Sequence, residues 1–212
     1  MPAFLRTVFK LMTHVLIVPG LHNSGENHWQ TLWEKELPNT LRVVQDDWET
    51  PDIEQWANRI IQTSRQVDRF WIVAHSFGVL SAVHALPDIV DRVNGLFLVA
   101  PASPVKLGVD RLLSRKILPV PGVIVASRSD PWLSWEGANQ LSNDWGLSIL
   151  DAGYAGHINV ESGHGHWQYG LDWFDLFRDL KSINETIPLH PHPHPHSLRS
   201  KQDQLFGVTD YF

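Results

Sequence analysis

Six short apolar runs punctuate this chain, and a stretch with helical spacing follows every one of them but the fourth. That alternation leaves few folds open. The runs are His14–Val18, Leu41–Gln45, Phe70–Ala74, Gly95–Ala100, Val123–Ser127 and Leu147–Leu150. Most are near-continuous in apolar residues, as strands buried on both faces must be, rather than alternating as a strand with one wet face would. Doubly buried strands joined through helices form a parallel sheet covered on each side, and right-handed crossovers restrict the connections further. The predicted class is α/β: a single-domain, three-layer sandwich with a parallel six-stranded sheet flanked by helices.

The intervening segments support this. His28–Leu37 places Trp29, Leu32, Trp33 and Leu37 at helical spacing and stops at Pro38. Thr50-Pro51-Asp52 reads as a cap, a first-turn proline and an acid suited to the helix dipole. After it, Ile53, Trp56, Ala57, Ile60, Ile61, Ser64 and Val67 trace one face. Phe77–Leu86 reads as a helix stopped by Pro87, and Trp135–Trp145 as another. Gln168–Ile183 is predicted to bury Trp173, Phe174, Phe177 and Leu180.

A length of 212 residues, 43% of them hydrophobic and 19% charged, suits one domain with a sizeable core. That domain is expected over residues 12–183. Residues 1–11 mix apolar and basic side chains without the unbroken apolar centre of a signal peptide, and read as an extension. Residues 184–212 contain the alternating His-Pro tract of Leu189–His196, which suits neither helix nor ladder, and read as a disordered tail. A net charge of −6 with no Lys/Arg block argues against nucleic acid as a partner. No apolar run has the roughly 20 residues of a membrane span. The absence of cysteine excludes disulfides, thiolate metal sites and cysteine nucleophiles, and fits a cytoplasmic protein.

The chemistry concentrates after the third run, at Ala74-His75-Ser76-Phe77-Gly78. This is the G-x-S-x-G pattern with alanine in first place. A serine on a very sharp strand-to-helix turn holds its Oγ clear of the backbone, and the residues two before and two after it must be small. Serine needs a base, and the base needs an acid that fixes its tautomer. On such a fold they follow in the order serine, acid, histidine, at the carboxyl ends of later strands. Asp130, after the fifth run, and His157, after the sixth, stand where that order requires. His164 and His166 are the rival bases, and His75 is expected to support the turn. An oxyanion hole needs two backbone N–H groups. Phe77 supplies one; the loop after the first run supplies the other, from Leu21 first and His22 second.

These stretches resemble small serine hydrolases of the alpha/beta-hydrolase superfamily, of the YdeN and retinoblastoma-binding-protein type. The resemblance lies in Val15–Ser24 with His28-Trp29, in Ala74–Gly78, in Ser129-Asp130-Pro131, and in Gly156–Asn159 with Glu161–Gly163. It implies a single-domain fold, no metal or other cofactor, and a Ser76–Asp130–His157 triad.

Serine at the elbow favours acyl transfer to water through an acyl-enzyme. Pro101–Pro121, between the fourth and fifth runs, is too short for a large lid, so bulk lipid is not the expected substrate. The expected partner is a small-molecule acyl substrate, whether ester, thioester or amide. His22, Trp132, Trp135 and Trp167 are candidates to line its pocket. The rival reading is a non-catalytic protein-binding module that keeps the hydrolase scaffold.

Overall fold

The computed structural model describes residues 13–186 except residue 114. The predicted extension and almost all of the predicted tail lie outside the described residues. Six strands form one sheet: β1 (His14–Val18), β2 (Thr40–Arg42), β3 (Phe70–His75), β4 (Val93–Val99), β5 (Gly122–Ala126) and β6 (Ser148–Asp151). Their order is β2-β1-β3-β4-β5-β6, and every pair is parallel. Five helices connect and close them: α1 (Trp29–Glu36), α2 (Ile53–Ser64), α3 (Phe77–Ile89), α4 (Trp135–Trp145) and α5 (Gln168–Thr186).

The two-residue period of a strand divides the core in two. Val15, Ile17, Trp71, Val73, Phe97 and Val99 point to one face, where Trp29 and Trp33 of α1 and Leu171 and Phe174 of α5 cover them. Leu16, Val18, Ile72, Ala74, Leu96 and Leu98 point to the other, under α2, α3 and α4. Each fully buried side chain of this size stabilises the fold by about 1.5–3 kcal/mol. The predicted three-layer α/β sandwich is the observed one.

Several boundaries differ from expectation. The cap of α2 is Asp52, which accepts from the Gln55 N–H at 3.0 Å, rather than Thr50. Pro87 lies inside α3. It removes a single donor, and the helix continues to Ile89 before tightening into a 3-10 turn at Val90–Arg92. The second strand is only Thr40–Arg42 and half-buried, as an edge strand with one neighbour can be. On α5 only Phe174 of the four predicted core residues is fully buried. Trp173 and Phe177 are half-buried, and Leu180 is exposed.

The topology also creates the site. From β1 the chain moves outward to β2, then returns past β1 to β3. The loops leaving the carboxyl ends of β1 and β3 therefore diverge, and an open sheet binds ligands in that crevice. Gln30, fully buried on α1, braces the carboxyl ends of β1 and β3. Its amide donates to the Val18 and Val73 carbonyls at 3.1 and 3.2 Å, and its oxygen accepts from the Ser24 hydroxyl at 2.6 Å.

Candidate active site

Ser76 stands between the last residue of β3 and the first of α3. Its backbone, at φ 55° and ψ −123°, lies in a region that L-residues rarely occupy. The surroundings enforce the turn. A Cβ on Gly20 would stand 2.7 Å from the Ser76 Cβ, and one on Gly78 would run into the carbonyl oxygens of Val18 and Pro19. The loop after β1 and the start of α3 can meet only because both positions are glycine.

His157, on the loop after β6, faces Ser76 with its Nε2 3.0 Å from the serine Oγ. Its Nδ1 lies 3.0 and 2.9 Å from the two carboxylate oxygens of Asp130. A carboxylate only accepts, so Nδ1 carries the proton, and Nε2 of the neutral ring is left to accept from the serine hydroxyl. The His157 and Asp130 side chains are 10% and 3% exposed, so little water competes for these bonds. One Asp130 oxygen also accepts from the Trp132 N–H at 2.9 Å, which fixes the carboxylate plane.

The histidine loop is anchored from several sides. The Trp29 indole N–H donates to the Ile158 carbonyl at 2.8 Å. The His75 ring lies 2.9 Å from the His157 carbonyl, which only accepts, so His75 Nε2 is the donor. The hydroxyls of Ser127 and Ser129, beside the acid, accept from the Ala155 and Gly156 N–H groups at 2.9 and 3.0 Å. They lock the β5 and β6 loops together. His75, expected to support its own turn, makes its side-chain hydrogen bond to the His157 loop instead.

Three histidine rings run in file here, His157 to His75 at 4.9 Å and His75 to His28 at 5.0 Å between centroids. The two behind His157 are held neutral. Burial, then the Arg42 and His157 charges, lower the His28 pKa to about 4. Burial, then the charges of His157 and His28, push His75 well below the ordinary imidazole value. A proton placed on His157 would therefore meet no second positive charge in the file.

Of the two oxyanion candidates on the β1 loop, His22 is committed elsewhere: its N–H donates to the Trp48 carbonyl at 2.9 Å. The N–H groups of Leu21 and Phe77 have no hydrogen-bond acceptor among the described residues.

A pocket of about 410 Å³ opens over Ser76. Its walls include Leu21, His22, Leu107, Trp132, Asn159 and Glu161. His22 and Trp132 are thus where the sequence put them, and the other two candidates are not. Trp135 lies on α4 under the Arg128 guanidinium, 5.3 Å from its ring. Trp167 is buried in the core, 5.2 Å from Trp29 and stacked at 5.8 Å on Trp33. The rival histidines have other partners. His164 shares a hydrogen bond with the Ser162 hydroxyl at 3.1 Å, and His166 pairs with Glu36 at 2.6 Å. Leu107 lines the pocket without having been singled out in the sequence, and His28 and Asn159, which lie in the stretches that carry the family resemblance, line it without having been given a role there. Among the described residues there is no group of three side chains placed to hold a metal ion, and no helix long and apolar enough to cross a membrane.

The sequence profile of the serine hydrolases matches residues 15–176. This chain belongs to the serine hydrolase family. The hydrolase is 33% identical to a putative YdeN-like hydrolase from Pectobacterium atrosepticum. That match covers 84% of this chain and 97% of the other, with a TM-score of 0.79. The ydeN gene product of Bacillus subtilis shares the fold at 17% identity and a TM-score of 0.67, over 78% of this chain and 98% of that one. Est1E from Butyrivibrio proteoclasticus, solved with ferulic acid bound, shares it at 13% identity and a TM-score of 0.60, over 79% of this chain and 90% of that one. No curated protein matches the hydrolase.

Proposed function

We propose that this serine hydrolase cleaves small acyl esters, or the related thioesters and amides, through an acyl-enzyme on Ser76. The observation that carries the reading is the unbroken relay from the Ser76 Oγ through His157 to Asp130, at 3.0 and 2.9 Å. In the proposed reaction the Oγ attacks the acyl carbon while His157 Nε2 takes its proton. Asp130 stabilises the imidazolium, and the Leu21 and Phe77 N–H groups receive the oxyanion. Collapse breaks the bond to the leaving group, which takes the proton from His157. Water repeats the sequence on the acyl-enzyme, releasing the acid and restoring Ser76. A pocket of 410 Å³ is toward the small end of ligand sites, which supports a small substrate. The cysteine-free composition suits a cytoplasmic setting.

Treatment with a fluorophosphonate followed by peptide mass spectrometry tests this directly. The expected adduct is on Ser76, and Ser76→Ala should abolish it while keeping the fold. An adduct on another residue, or full labelling of the variant, would overturn the assignment.

A further inference from the structure

We propose that the acyl chain of the substrate passes between Leu107 and Trp132 into a second hollow behind the β4–β5 connection, so that the enzyme selects medium-length acyl groups. This inference rests on the acyl-enzyme reading of Ser76. The second hollow measures about 440 Å³, and Pro104, Val105, Leu113, Leu133, Leu141 and Trp145 give it an apolar lining. Asp110, Arg115, Gln140 and Asp144 also contribute to its walls.

The two cavities are lined from the same two chain segments. On the connection after β4, Ala102 and Leu107 face the serine side, while Ser103, Pro104 and Val105 face the second hollow. On the loop after β5, Trp132 faces the serine side and the adjacent Leu133 the hollow. These two chain segments meet at a seam, where the Lys106 ammonium donates to the Pro131 carbonyl at 3.0 Å. That bond is exposed, so water can take over both partners when the seam parts. The connection after β4 is itself built from turns: the Leu107, Gly108, Val109 and Leu112 N–H groups bond to Ser103, Val105, Pro104 and Val109. Parting the seam joins an apolar hollow to the acyl side of the nucleophile. An alkyl chain has the chemistry to cover the apolar members of this lining.

The test uses the full-length enzyme with p-nitrophenyl esters of acetate, butanoate and octanoate, read as the ratio of kcat/KM for octanoate to that for acetate. Gln140→Trp fills the hollow from the exposed side of α4, and Val105→Trp fills it from the opposite wall. Each should lower the ratio about tenfold, the scale expected when an apolar pocket loses room for a chain. Two independent filling variants guard against one that fails to fold, and fluorophosphonate labelling of each reports an intact Ser76. A ratio unmoved in folded filling variants overturns the second acyl site and leaves the hydrolase reading intact. Failure of every fluorophosphonate to label wild-type Ser76 overturns that reading itself, and the acyl site with it.

Discussion

Asp130 holds two donors at once, the His157 Nδ1–H and the Trp132 backbone N–H. An asparagine there would keep one acceptor oxygen for Trp132 and turn its amide N–H toward His157. The imidazole would then move its proton to Nε2, where it can no longer accept from Ser76. Asp130→Asn is expected to leave the melting temperature nearly unchanged and cut turnover by up to about 10⁴-fold. His157→Ala should cost at least as much, and adding Ser76→Ala to it should cost little more, because the groups act as a unit. His164→Ala and His166→Ala are the controls and should keep most activity, measured as kcat/KM on one ester. A tolerated His157→Ala beside a damaging His164→Ala would move the base. These three positions were legible in the sequence because each sits just past an apolar run, in an order the fold dictates. The sequence ranked Leu21 ahead of His22, but the reason the fold adds, the Trp48 carbonyl arriving from a distant loop to take the His22 N–H, was not legible. Nor was the separation of Trp132 from Trp135 and Trp167: three indoles that flank the site in sequence diverge once α4 and the core claim two of them.

At the scale of elements, α1 couples the site's surroundings to pH. His28 is its cap, with Nδ1 accepting from the Gln30 N–H at 3.2 Å, a role open only to the unprotonated nitrogen. The folded protein keeps His28 neutral down to about pH 4, whereas the unfolded chain takes up a proton near the ordinary 6.5. Between those values the unfolded state binds more protons, so stability falls as pH drops from about 6.5 toward 4. The loss from this residue is on the order of 3 kcal/mol, and the lowered His75 pKa acts in the same direction. Urea unfolding at pH 7 and pH 5 measures it. His28→Asn retains a capping acceptor but cannot take the proton, so it should flatten the slope; an unchanged slope would remove His28 from the account. A histidine cap lies outside the Ser/Thr/Asp/Asn pattern by which helix starts are read, which is why it went unseen. The strands were legible as apolar runs, and so were both ends of α4 and the start of α3, whereas other helix ends were not. Asp52 rather than Thr50 caps α2 because capping is settled by backbone angles at one residue. Leu180 continues the apolar spacing of α5 into its later turns, yet half of its surface remains exposed.

For the whole molecule, the question is which residues the hydrolase needs. The family profile ends at residue 176, and the Pectobacterium relative is matched over 97% of its length by 84% of this chain. A nearly complete relative therefore fits inside the present sequence with residues to spare. Within the described residues the sheet, both core layers and the Ser76–His157–Asp130 relay draw on nothing outside residues 14–181. The sequence beyond Thr186 carries the His-Pro alternation and no periodic apolar face, so it has little apolar surface to contribute to a core. We expect a chain cut to residues 12–187 to match the full-length enzyme in melting temperature and in the rate of Ser76 labelling by a fluorophosphonate. Separate removal of each end assigns any difference. A lower melting temperature on removing the first eleven residues would mean that their apolar side chains cover part of the domain. A slower labelling rate at unchanged stability on removing the tail would instead place the His-Pro segment over the pocket, where it would act on substrate access and not on folding.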